Sequence, residues 1–170
     1  MQVLLSSQQF ELTIRRLAFQ LLENYDSLDN IVFVGIQPRG VFVSNKIIEI
    51  IKDVYKKGDV HYGVLDITFY RDDVREELHT PKETTITQSI EGKEVILIDD
   101  VLYTGRTIRA ALDALQDFGR PKKVQLCVMV NRRFNRELPI QPDYTGISID
   151  TTSAQKVKVD LSKNEVILYT

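Results

Sequence analysis

Apolar residues follow two different periods along this chain, and the switches between them mark its elements. Ile14, Leu17, Ala18, Leu21 and Leu22 recur at helical spacing within FELTIRRLAFQLLENY, which predicts an amphipathic helix from about Glu11 to Tyr25. The run IVFVGI, Ile31 to Ile36, is almost continuously apolar and closes on Gln37-Pro38-Arg39-Gly40, as a buried strand entering a loop would. A second helix is expected from about Val41 to Asp53. Val60 to Tyr70 alternates well enough for a strand, whereas Arg71 to Ser89 is polar, charged and without helical period. A long structureless excursion in a compact domain points to a mobile lid hairpin over about 71–89, with a plain surface hairpin as the alternative.

The second half of the chain reads strand, helix, strand. Val95 to Ile98 is wholly apolar, Ile108, Ala111, Leu112 and Leu115 set one stripe on a helix, and Gly119-Arg120-Pro121 stops it. Val124 to Val130 is another buried strand, so a right-handed parallel crossover is expected. KVKVDL and EVILYT flank Ser-Lys-Asn as a terminal hairpin would. The sum is an α/β fold: one domain over 1–170, with a mainly parallel central sheet flanked by helices, a flexible lid hairpin and a C-terminal β-hairpin.

Composition changes this picture little. A chain of 170 residues with 43% hydrophobic and 27% charged residues has the size and balance of one ordinary domain. No apolar run approaches the roughly 20 residues of a membrane helix. The start, MQVLLSSQQFELTIRR, lacks the basic region and small-residue cleavage site of a secretory signal, so a cytoplasmic location is expected. Cys127 is the single cysteine, which excludes an internal disulfide and a thiolate-rich metal cluster, and VQLCVMV suggests that it is buried. A net charge of −2 supplies no global attraction to nucleic acid, although a local basic patch remains compatible with it.

Chemistry concentrates in Val95 to Ala110, VILIDDVLYTGRTIRA. Ligands of open parallel sheets sit beyond the carboxyl ends of the strands, and Asp99 and Asp100 fall where VILI emerges. Thr104-Gly105-Arg106-Thr107 then opens a helix, whose unpaired N–H groups and dipole favour a phosphate. The two threonine hydroxyls add donors, Gly105 permits close backbone approach and Arg106 brings positive charge. Carboxylates beside a bound phosphate must serve something else within reach, and sugar hydroxyls or a divalent cation are the natural candidates. Simple helix capping by these residues is the competing reading. Neither G-x-x-x-x-G-K-[ST] nor G-x-G-x-x-G occurs, so a phosphorylated sugar fits better than a nucleotide loop of either kind.

VILIDDVLYTGRT resembles the phosphoribosyl-pyrophosphate signature of type I phosphoribosyltransferases. With VGIQPRGV, DITFYRDD, GRPKKVQL and RELPIQPDYTG, the likeness extends to the pyrimidine-operon regulator and uracil phosphoribosyltransferase family, from roughly Thr13 to the carboxyl terminus. The resemblance implies that Asp99 and Asp100 hold the ribose hydroxyls, while Val101, Leu102, Tyr103, Thr104, Gly105, Arg106 and Thr107 wrap the 5′-phosphate. It makes Gln37, Pro38, Arg39 and Gly40 the pyrophosphate loop, a segment that otherwise reads as a strand-to-helix turn. Arg71, on the lid, would join Arg39 and Asp100 as catalytic candidates. Met129, Val130, Asn131 and Arg132 would contact the base, in a stretch where relatives carry Asp-Arg-Gly-His and this chain has departed from them.

The implied reaction is displacement of pyrophosphate from ribose C1 by uracil, giving UMP. Mg²⁺ enters through the substrate rather than through a direct protein site, and no dedicated general base is required. The resemblance also implies UMP-dependent binding of messenger RNA, with Arg15, Arg16 and Arg136 as candidate contacts, and a dimer or higher homo-oligomer. Two alternatives stay open: a nucleotide-sensing RNA-binding regulator with little turnover, and a transferase for a purine or orotate.

Overall fold

The computed structural model describes residues 1–72 and 82–170. The centre of the expected lid hairpin therefore lies outside the described residues. Five parallel strands form the central sheet in the order β3-β2-β4-β5-β6: β2 Ile31–Ile36, β3 His61–Leu65, β4 Glu94–Leu102, β5 Lys123–Arg133 and β6 Tyr144–Asp150. A smaller antiparallel sheet joins β1 Gln2–Leu5, β8 Glu165–Tyr169 and β7 Lys156–Asp160 in the order β1-β8-β7. The expected terminal hairpin is thus present, and β1 adds an edge to it.

Two helical layers bury the two faces of the large sheet. On one side α1 (Ser7–Glu23) and α2 (Gly40–Val54) set Ile14, Leu17, Leu21, Val43, Ile47 and Ile51 against Phe33, Ile96, Ile98 and Met129. On the other, α3 (Arg106–Leu115) sets Ile108, Ala111, Ala114 and Leu115 against Val34, Val95, Leu97 and Val128. Each large aliphatic side chain so buried contributes about 1.5–3 kcal/mol. Burial on both faces explains why the central strands read as unbroken apolar runs rather than alternating ones. The stripe on α3 differs in detail from expectation, since Leu112 is exposed and Ala110 and Ala114 are buried instead.

Three boundaries moved for physical reasons. Ser6 caps α1 in a capping box, with its hydroxyl accepting from Gln9 N–H and Gln9 Oε1 accepting from Ser6 N–H, so the helix starts earlier than Glu11. The strand expected over Val60 to Tyr70 stops at Leu65, and a 3₁₀ turn, Thr68–Tyr70, follows. β4 and β5 run several residues past their apolar cores, so Asp99, Asp100 and Asn131 lie within strands and not beyond them.

The connections between these parallel strands step toward opposite edges of the sheet on either side of one point, between β2 and β4. From β2 the chain crosses through α2 to β3 at one edge, and from β4 it crosses through α3 to β5 toward the other. The carboxyl ends of β2 and β4 therefore flank a switch point, where open α/β sheets bind ligands. No helix among the described residues is long and apolar enough to cross a membrane.

Cys127 is completely buried in β5, and burial pushes its thiol up to about 12. The native protein should therefore resist thiol reagents at pH 8 and take up label only in denaturant; rapid labelling of the folded chain would contradict this environment.

Candidate functional site

The switch point brings together the loops that follow β2 and β4. Asp99 and Asp100 are 5% and 7% exposed, and each has backbone support: Asp99 Oδ1 accepts from Asp100 N–H at 2.9 Å and Asp100 Oδ1 from Val101 N–H at 2.8 Å. Asp100 Oδ2 also accepts from Arg39 Nε at 2.7 Å. Arg39 reaches on to donate to the Val159 carbonyl at 3.0 Å, which ties the smaller sheet to the site. The Gln37–Pro38 peptide is cis, and Gly40 opens α2 directly against β4.

Burial raises the Asp99 carboxyl well above its ordinary range, the negative charge of Asp100 raises it further, and Arg71 pulls the other way. A carboxyl whose folded value is raised binds its proton more tightly in the folded state, so the cost of ionising it grows as pH rises above the unfolded value and through the folded one. Asp99→Asn should thus raise the melting temperature of the empty protein at pH 8, by about 2–4 °C for each kcal/mol relieved, while little changes below pH 4. Scanning calorimetry at the two pH values checks this; equal or lower melting of the variant at pH 8 would contradict it.

The loop after Asp100 turns into α3 at Gly105, whose φ of +94° lies in the left-handed region. A Cβ there would also meet Ile140 Cδ1 at 3.3 Å, so glycine answers both to conformation and to space. Thr104 Oγ1 accepts from Arg106 N–H at 3.3 Å. A cavity of about 310 Å³ opens at this helix start, lined by Arg71, Asp99, Tyr103, Thr104, Arg106 and Thr107 among others. The first N–H groups of a helix lack intrahelical partners and sit at the positive end of its dipole. A cavity that combines them with two hydroxyls and arginine charge suits a phosphate.

Several neighbours that sequence reasoning passed over hold this loop. Arg106 Nε donates to Glu137 Oε2 at 2.5 Å, and Asp72 Oδ2 accepts from Arg106 at 3.3 Å and from Arg109 at 2.5 Å. Asp66, just after β3, accepts from Thr68 N–H and hydroxyl and from Lys82 N–H, joining the described ends of the polar excursion. Burial raises its carboxyl, but those hydrogen bonds outweigh burial and hold it below the usual range. An acid two residues before a threonine is the Asx-turn signal that could have found it.

The expected base contacts separate. Met129 and Val130 are completely buried in the core, so their side chains face no ligand. Arg132 is 5% exposed and acts as an internal strut: its guanidinium lies 3.8 Å from the Tyr103 ring centroid and donates to Thr151 Oγ1 at 3.0 Å and the Gln155 carbonyl at 2.8 Å. Asn131 remains at the edge of a second cavity of about 790 Å³, shared with Phe134, Arg136, Gln141 and Thr145. Phe134 is 81% exposed with φ of +69°, an unusual backbone for an aromatic residue. Another cavity, of about 400 Å³ between Lys52 and His61, lies at the amino end of β3, the wrong end of the sheet for this site.

The candidate RNA contacts also differ in their freedom. Arg15 lies over the Phe19 ring on α1. Arg16 donates to the Thr145 and Gly146 carbonyls of β6, and Arg136 is held against Tyr103 and Asn131.

Among the described residues no cluster of three or more His, Cys, Asp or Glu side chains could hold a metal by itself. The donor set, two carboxylates with one already paired to Arg39, fits a magnesium ion that takes most of its ligands from substrate oxygens and water.

A phosphoribosyl transferase domain family matches residues 2–164. The chain is 45% identical over 156 residues to "Bifunctional protein pyrR" of Enterococcus faecalis, covering 89% of this chain and 85% of that one. It is 42% identical over 167 residues to "Bifunctional protein PyrR" of Bacillus cereus, covering 96% and 92%. A hypoxanthine-guanine phosphoribosyltransferase of Bacillus anthracis superposes with TM-score 0.68 at 21% identity, over 88% of this chain and 82% of that one. A hypoxanthine phosphoribosyl transferase of Trypanosoma cruzi does so with 0.75 at 15%, over 100% and 91%. At those identities the solved structures speak to the fold alone, but the family match spans both candidate loops and the relatives align along almost the whole chain: this protein belongs to the phosphoribosyl transferase domain family.

Proposed function

We propose that the chain transfers the phosphoribosyl group of phosphoribosyl pyrophosphate to uracil, forming UMP and pyrophosphate, as a cytoplasmic homo-oligomer. The observation that carries this reading is the juxtaposition of a buried acidic pair at the end of β4 with the phosphate-sized cavity at the start of α3. Thr104, Gly105, Arg106 and Thr107 bind the 5′-phosphate, and Asp99 and Asp100 orient the ribose hydroxyls. Arg39 and Arg71 face the pyrophosphate and stabilise the negative charge that grows on it as its bond to C1 breaks. Magnesium, when bound, neutralises part of that charge through the substrate oxygens. Uracil supplies the ring nitrogen that forms the new bond to C1, and its proton leaves to solvent or to the departing pyrophosphate.

Choice of uracil rests on the likeness to the PyrR relatives and on the Asn131 amide at the edge of the second cavity. A base panel tests it. Uracil should outpace hypoxanthine, guanine and orotate in pyrophosphate release by at least about a hundredfold; equal or greater release with a purine would overturn the choice while leaving the transferase standing.

The same relatives are called bifunctional, which favours a second role as a UMP-dependent RNA-binding regulator of pyrimidine genes. Of the candidate contacts, exposed Arg15 is the one that a phosphate backbone can reach without breaking an internal bond. An electrophoretic shift of leader RNA that appears only with UMP, and weakens steeply with salt, is the expected result. A shift indifferent to UMP would argue against a sensing role.

A further inference from the structure

We propose that Arg136 is a positioning residue for the 5′-phosphate loop. The inference rests on the reading of Thr104 to Thr107 as a phosphate site, but it does not depend on which base is used. β5 and β6 are adjacent and parallel, yet no helix joins them; residues 134–143 carry the chain back along the sheet as an extended strap. That strap crosses beside the loop between β4 and α3. Glu137 N–H and Leu138 N–H donate to the Thr104 carbonyl at 3.0 and 3.2 Å, and Arg136 donates through one terminal nitrogen to the Tyr103 carbonyl. Its other terminal nitrogen donates to Asn131 Oδ1 at 2.6 Å. Glu137 meanwhile holds Arg106.

The consequence is directional. The carbonyls of Tyr103 and Thr104 are occupied by the strap, so the acceptors of the loop are turned to protein donors, and of the N–H groups that begin α3 only that of Arg106 meets a side chain, Thr104 Oγ1, which leaves those of Thr107 and Ile108 for an anion. Carbonyl oxygens facing a phosphate would repel it; fixing them elsewhere before the ligand arrives is preorganisation. The guanidinium is the part of the strap that reaches two acceptors at once, since its donors form a rigid fork that an ammonium cannot copy. One fork arm ends on the phosphate loop and the other on Asn131 of the base segment, so Arg136 also couples the two halves of the substrate site. Burial lowers its pKa from the ordinary arginine value, because desolvation disfavours the cation, but a guanidinium stays charged.

The test is equilibrium binding of phosphoribosyl pyrophosphate with magnesium to the full chain, alongside RNA binding. Arg136→Gln should weaken that binding about tenfold or more with its circular dichroism and melting cooperativity intact, and Arg136→Lys should fall between Gln and wild type. Ribose 5-phosphate, which has no pyrophosphate, should lose affinity by the same factor, because the defect is at the 5′-phosphate. Arg136→Gln binding both ligands within twofold of wild type, or losing RNA affinity alone, overturns the proposal. If Arg136→Gln does not fold, Arg136→Lys decides: wild-type affinity for both ligands overturns it, and a loss of about threefold or more supports it. A wild-type chain that binds phosphoribosyl pyrophosphate but does not convert uracil sinks the uracil reading and leaves Arg136 to be judged by these affinities. One that binds neither ligand sinks both.

Discussion

Replacing Asp100 by alanine should lower kcat/KM for phosphoribosyl pyrophosphate by about a hundredfold. Its carboxylate is almost fully buried, accepts from Val101 N–H, and pairs with Arg39, so two donors lose their acceptor when it is removed. Hydrogen bonds to charged groups contribute about 1.5–3 kcal/mol each, which corresponds to about ten- to a hundred-and-fiftyfold for one lost substrate contact. The ribose hydroxyls are bound both before and during bond cleavage, so most of the loss should appear in KM. Arg39 adds a kcat component, because without Asp100 its guanidinium is anchored among the described residues only through the Val159 carbonyl. Asp100→Asn keeps an acceptor of the same shape and should fall between the two. Steady-state kinetics with a folded variant decide the matter, and a change under threefold would remove Asp100 from the site.

Gly40→Ala should have the second-largest effect, although the substitution adds a single methyl group. A Cβ at Gly40 would lie 2.6 Å from the Ile98 carbonyl oxygen, 2.9 Å from Asp99 Cα and 3.0 Å from Asp99 Oδ1. The first two are strand backbone in the centre of the sheet and cannot move aside, so α2 and the Gln37–Arg39 loop must move instead. Overpacking of this kind costs about 1–3 kcal/mol, and for a chain of this size each kcal/mol lowers the melting temperature by about 2–4 °C. Shifting the loop by even part of an ångström separates Arg39 from Asp100, so affinity for phosphoribosyl pyrophosphate should fall at least about tenfold beyond what the lost stability explains. A variant that melts lower yet binds normally would mean that the loop plays no part in binding.

Much of this site was legible in the sequence because its parts obey local rules. VILIDD announces a buried strand delivering two acids to the sheet's carboxyl end, and TGRT announces a helix start. Each signal depends only on neighbours in the chain. The β1 strand and β6 were not legible for the opposite reason. VLL is too short to show a period, and YTGISID packs one face of an edge strand, alternating with exposed residues around a glycine whose Cβ would strike the Met129 carbonyl at 2.3 Å.

Side-chain destinations were also hidden wherever the partner lies far along the chain. Arg136 and Arg132 look alike in sequence, a pair of surface-like arginines in a basic stretch, yet one holds the Tyr103 carbonyl and the other lies against the Tyr103 ring. Met129 and Val130 follow the same logic in reverse. Their position near the end of β5 suggests a ligand, but β5 runs three residues further, to Arg133, and leaves both inside the core.

A phosphate bound by this chain should sit at the start of α3. Two-dimensional amide NMR during titration with ribose 5-phosphate measures this directly, since it reports each backbone N–H separately. The largest shifts should fall on Thr104 to Ile108, with smaller ones at Asp99 and Asp100 and none at Lys52 or His61. Saturable binding that leaves the amides of Thr104 to Ile108 unmoved would contradict the assignment of this loop as the phosphate site.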